Sequence, residues 1–166
     1  RFLMETMEIE RWVLAGTDYV YPRATNRLLS AFLLQSGVTA PDIMISYTPF
    51  GHVDYERIVS DIRRFAAEGK KTAIVSTING DANIAFYREL ARQGVSADDI
   101  PVIAFSVGEG ELSMMDAKPL TGHLAAWNYF MSIDNPANRA FISDLRRQSG
   151  GQVQVVNDPI EAQYIG

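Results

Sequence analysis

The feature that most restricts the fold is an alternation repeated along most of the chain: an apolar run, a polar turn, then a stretch with apolar residues at helical spacing. Ile9 to Ala15 is the first run and ends at Gly16-Thr17-Asp18. Pro22 opens a helical stretch whose Ala24, Leu28, Ala31 and Phe32 share a face, closed by Gly37. Ile43 to Tyr47 reads as a second strand, and Asp54 caps a second helix carrying Ile58, Ile62, Phe65 and Ala66, stopped by Gly69. Thr72 to Thr77 is a third strand, Asp81 to Gln93 a third helix, and Pro101 to Phe105 a fourth strand. A shorter helical segment spans Glu109 to Met115, a fifth strand Leu120 to Tyr129, and Asn135-Pro136 starts a last complete helix that ends near Gly150.

Strand and helix in turn are the signature of βαβ units and a parallel sheet. The first, third and fourth runs are continuously apolar, as expected of strands covered on both faces. The expected fold class is therefore α/β: a doubly wound, mainly parallel five-stranded sheet with helices on both faces. The length of 166 residues suits one domain, and a polar stretch after Gly150-Gly151 is the plausible internal boundary.

Composition removes several functions. Fifteen basic against twenty acidic residues leave a net charge of −5, which gives no general attraction to nucleic acid or an anionic membrane. Cysteine is absent, so disulfides, thiol nucleophiles and cysteine-ligated metals are excluded. His52 and His123 are too few for a zinc site without a further ligand nearby, and no cofactor is implied. No serine sits in a nucleophile elbow, so an enzyme is not expected. The ends read as those of a fragment: the chain opens at Arg1 inside an amphipathic segment, and the helix start Asp158-Pro159 is followed by a few residues only.

Open parallel sheets bind ligands outside the carboxyl ends of their strands. The loops at that edge contain Asp18, Tyr19 and Tyr21 after the first strand, and Tyr47 to His52 after the second. Thr77, Asn79, Gly80 and Asp81 follow the third strand, and Ser106, Val107 and Glu109 follow the fourth. Neither GxGxxG nor a P-loop occurs there, and carboxylates would repel phosphate. A carboxylate ligand is disfavoured unless Arg23 or a group outside this chain receives it. What remains is a small neutral or cationic molecule rich in N–H donors, held by acceptors between aromatic walls; urea and small amides fit. Each element also has a purely structural reading: Asp18 and Asp81 as helix N-caps, Ser76 and Thr77 as strand formers, one tyrosine of the pair turned into the core.

Several segments together resemble the substrate-binding proteins of urea and short-chain-amide ABC transporters. They are Gly16-Thr17-Asp18-Tyr19-Val20-Tyr21-Pro22-Arg23 with Asn26, Tyr47 to His52, Val75 to Asn83, Gly122 to Phe130, and Asn157-Asp158-Pro159 with Tyr164-Ile165-Gly166. The resemblance implies one lobe of a type 1 periplasmic binding protein. Residues 1–132 would form the ligand-binding lobe, and 133–166 a return segment belonging to the other lobe. It further implies an extracytoplasmic protein, lipid-anchored or free, with a membrane permease as partner and Tyr19 and Tyr21 facing an amide. A cytoplasmic amide sensor of the same fold is the alternative. Phe141, Ile142 and Leu145 would expose an apolar stripe without the other lobe, so self-association through the 136–148 helix is expected.

Overall fold

The computed structural model describes residues 1–153 and 155–165. Gly166, quoted in the last of the segments above, lies outside them. Five parallel strands form one sheet in the order β2-β1-β3-β4-β5. They are β1 (Arg11–Thr17), β2 (Ile43–Thr48), β3 (Thr72–Thr77), β4 (Val102–Ala104) and β5 (Leu124–Ala125). A short α1 (Phe2–Glu5) precedes them, and α2 (Val20–Gln35), α3 (Glu56–Ala66), α4 (Ala82–Arg92) and α5 (Glu109–Leu112) lie between them. Two more helices, α6 (Pro136–Gln148) and α7 (Asp158–Ile165), follow the sheet. The α/β class and the five-stranded parallel sheet expected from the alternation are what the chain adopts. Among the described residues no helix is long and apolar enough to cross a membrane.

The strand order fixes which helices share a face. The chain steps from β1 outward to β2, then crosses back to β3 on the other side of β1, so the connections run in opposite directions. Right-handed crossovers then put α2 on one face and α3 and α4 on the other. The core is divided accordingly. Val13 and Ala15 of β1 pack with Ile74, Val59, Ile62, Phe86 and Leu90 on the α3–α4 face. Trp12 and Leu14 alternate to the opposite face with Leu3, Ile9, Leu33 and Val75. All of β1 and β3 is buried, while the edge strand β2 is only partly so.

At the amino ends of the strands, buried Arg11 is neutralised in place: its Nε donates to Asp42 Oδ1 at 3.1 Å and its Nη2 meets Glu68 Oε2 at 2.8 Å. Its guanidinium also lies over the Phe65 ring, 4.1 Å from the centroid. This cluster closes the end of the sheet away from the ligand loops and is structural.

Three expectations are corrected. The face of α2 that carries Ala24, Leu28 and Ala31 points outward, with Leu28 71% exposed. The buried positions are Pro22, Asn26 and Leu33, because Pro22 and Asn26 sit against Gly16 and Thr77 at the strand ends. The fifth strand is far shorter than Leu120 to Tyr129: Lys118–Leu120 is a 3₁₀ turn set by Pro119, and only Leu124 and Ala125 pair with Ile103 and Ala104. Finally, the stripe on α6 is not left open. Phe141 is buried with Tyr129 and Val156, and Ile142, Leu145, Val153 and Ile160 pack on that cluster. The segment after Ser132 covers its own apolar face with the turn before it and the helix after it, which removes the ground for self-association through α6.

Candidate functional site

The strand order reverses between β1 and β3, and that is where a doubly wound sheet opens a crevice at its carboxyl edge. The two loops flanking the crevice are tied together there, since the Asn79 N–H donates to Thr17 Oγ1 at 3.0 Å. Asn79 turns its own amide back to the Thr77 carbonyl at 3.0 Å, and Gly80 takes a positive φ of 64° that lets the chain enter α4. Asp81 lies exposed at the start of α4 and its carboxylate makes no capping bond.

After β1, the backbone of Asp18 is pinned by its N–H donating to the Thr48 carbonyl at 2.7 Å. Its side chain does not cap α2, where Tyr19 is the N-cap residue in extended conformation. The Asp18 carboxylate instead accepts from Arg23 Nε, which holds its pKa below the usual carboxylate range. The Arg23 guanidinium also lies 4.7 Å from the centre of the Tyr47 ring.

The extended Tyr19 sends the two tyrosines to one aromatic wall. The Tyr19 ring stands 6.1 Å from Tyr21 and 4.8 Å from Phe50, centroid to centroid. Partial burial, with Tyr21 nearby, raises the Tyr19 phenol above its ordinary pKa, so it stays a neutral donor. The Tyr21 hydroxyl is 3.5 Å from the Phe105 carbonyl, which brings the β1 and β4 loops to one place. Adjacent Ser106 is buried, and its hydroxyl has no hydrogen-bond partner among the described residues. Trp12 Nε1, Asn26 Nδ2, Ser30 Oγ and Asn83 Oδ1 are buried in the same state.

The remaining candidates are placed elsewhere. Thr77 is fully buried, its hydroxyl 3.3 Å from the Ala15 carbonyl and 3.5 Å from Asn26 Oδ1, so it seats α2 against the strands. Val107 is buried in the α3–α4 core. Glu109 turns toward the exit of the domain, where Oε1 accepts from both the Ser132 N–H (2.9 Å) and the Ser132 hydroxyl (2.8 Å). Burial pushes its pKa up, but the bonds from Ser132 and neighbouring backbone outweigh that and hold the carboxyl below its ordinary value.

Asp18, Tyr19, Tyr21, Asn79, Gly80, Asp81 and Ser106 thus share one edge, and Thr77, Val107 and Glu109 support it from behind or beside. Phe50 was not singled out by sequence reasoning. The one available signal was its position in the loop after β2, beside two aromatic positions in the loop after β1.

Over residues 1–166 the chain matches the family described as the periplasmic binding protein domain, and it belongs to that family. Solved structures share the fold. An ABC transporter substrate-binding protein from Sphaerobacter thermophilus superposes with a TM-score of 0.76 at 20% identity, over 93% of this chain and 41% of that one. A solute-binding protein of an ABC transporter from Rhodopseudomonas palustris, in complex with p-hydroxybenzoic acid, has a TM-score of 0.76 at 18% identity, over 89% and 39%. A leucine-binding protein from Thermotoga maritima has 0.66 at 16%, over 90% and 41%. The chain spans about two fifths of the length of these relatives.

Proposed function

We propose that this chain supplies one wall of a two-lobe cleft that captures urea or a short-chain amide, as the extracytoplasmic substrate-binding component of an ABC importer. In this reading residues 1–132 form the ligand lobe and 133–166 return toward the other lobe. The partner is the membrane permease, and no bond is made or broken in the ligand. The hydroxyls of Tyr19 and Tyr21 donate to the ligand carbonyl. The Ser106 oxygen and the loop carbonyls around Asn79 and Gly80 accept from its N–H groups.

The observation that carries the reading is the state of Arg23. It is the one lysine or arginine among residues 17–23, 47–52, 76–81 and 105–109. Its Nε donates to the Asp18 carboxylate and its guanidinium lies over the Tyr47 ring. The edge's other charged side chains are the carboxylates of Asp18 and Asp81, so the edge is rich in acceptors, which suits an N–H donor such as an amide and disfavours a carboxylate on this side of the cleft. An aromatic wall on one side excludes water and sharpens the discrimination, because an analogue lacking an N–H leaves an acceptor buried and unpaired. Calorimetric titration of the full-length protein with urea, acetamide and leucine tests this. Amide binding with no leucine response is expected; tight leucine binding without an amide response overturns the ligand assignment.

A further inference from the structure

Residues 131–133 form the joint through which the chain leaves the sheet domain, and both sides of that joint are held by side chains. From the return segment, Asn138 Nδ2 donates to the carbonyls of Met131 (3.0 Å) and Ile133 (2.7 Å). Asn138 is itself buried, and its Oδ1 accepts from the Tyr129 hydroxyl at 2.7 Å. From the sheet domain, Glu109 Oε1 accepts the N–H and the hydroxyl of the residue between those two carbonyls, Ser132. One peptide turn is thus gripped by an amide that moves with α6 and by a carboxylate that moves with the loop after β4. That loop also carries Ser106, whose hydroxyl has no partner among the described residues.

We infer that Glu109 is a positioning residue: it fixes the angle at which the return segment leaves the ligand lobe and so ties the geometry of the Ser106 loop to the placement of the other lobe. The inference rests on the two-lobe reading above. It assigns Glu109 a different task from direct ligand contact. A carboxylate suits the task, since it accepts two bonds on one oxygen, and charge-assisted bonds are shorter and about twice as strong as neutral ones. Held between Glu109 and Asn138, the turn cannot swing without breaking bonds on one side, so the two bodies have few relative orientations to sample.

The test compares Glu109→Gln, Ser132→Ala and the double variant in the full-length protein, by amide hydrogen exchange at residues 130–133 and by acetamide titration. Loss of a charge-assisted bond is worth about tenfold or more in the local opening equilibrium. Both single variants are expected to speed exchange at 130–133 by about tenfold. Each is expected to weaken acetamide by a smaller factor, and the double variant to be no worse than the poorer single one. Unchanged exchange in Glu109→Gln overturns the inference. So does a loss of affinity in Glu109→Gln with none in Ser132→Ala, which would make Glu109 a ligand contact. A parent protein that binds no amide but shows the exchange change refutes the ligand assignment and leaves the role of Glu109 standing.

Discussion

Gly16 and Thr77 are register partners across the β1–β3 pair, and they approach so closely that a Cβ on Gly16 would stand 2.5 Å from Thr77 Oγ1. The same Cβ would meet Pro22 Cβ at 2.8 Å and Asn26 Nδ2 at 3.3 Å. Absence of a side chain at Gly16 lets the first turn of α2, which carries Tyr21, rest on the strand ends. Gly16→Ala should lower stability by about 1–3 kcal/mol through overpacking. It should also weaken ligand binding, because α2 must lift. Thermal unfolding and a titration of the same variant check both effects.

Ser106→Ala separates a ligand contact from a structural residue. Its hydroxyl has no partner to lose among the described residues, so the melting temperature should hold or rise. Affinity for acetamide should fall by about three- to tenfold, the worth of one neutral hydrogen bond. A drop in stability with unchanged affinity would remove Ser106 from the site.

The wall formed by Tyr19 and Phe50 should behave as a unit. Phe50 is 64% exposed, so Phe50→Ala should cost little stability while weakening ligand binding, because Tyr19 loses the tilted ring 4.8 Å from its own. Tyr19→Phe keeps the ring contact and removes the donor. Titrations of the two variants and the double variant should give non-additive losses.

Asp42 sets an acid limit on stability. Hydrogen bonds from Lys70, then Thr39 and Arg11, pull its pKa from an ordinary 3.8 down to about 2. A folded pKa below the unfolded one means the contribution is complete above the unfolded value and is lost as pH falls toward about 2. Urea midpoints should fall between pH 4 and pH 2.5 in the parent, and Asp42→Asn should flatten that part of the profile.

Asn138→Ala should loosen the end of the chain without touching the sheet. It removes the acceptor of the buried Tyr129 hydroxyl and the donors to Met131 and Ile133. Leaving buried groups unpaired costs about 1–3 kcal/mol. Hydrogen exchange should rise over 129–156 and stay unchanged in β1 and β3.

The sheet was legible because apolar continuity is a property of single strands: β1 and β3 are buried along their whole length and read so. Helix faces were harder. Ala24, Leu28 and Ala31 make the more apolar stripe of α2, but Asn26 and Pro22 sit at the close approach to Gly16, and that tertiary fit decided which side faces inward. The fifth strand was overread because Leu120 to Tyr129 is apolar enough for a strand, while Pro119 and Gly122 bend the backbone before pairing begins. At the site, loops could be named from strand ends, which located the two tyrosines and Ser106. Side-chain direction was not available from spacing: Thr77 turned inward, and Glu109 found Ser132, 23 residues away in sequence.

The account depends on an edge made for a neutral ligand, and acetamide against acetate is the most direct comparison, since the two differ in charge and N–H groups but hardly in size. Titrated side by side into the full-length protein at neutral pH and low salt, acetamide should bind at least about a hundredfold more tightly, because a carboxylate would lie desolvated beside the carboxylates of Asp18 and Asp81. Acetate binding as tightly as acetamide, or more so, would contradict the account.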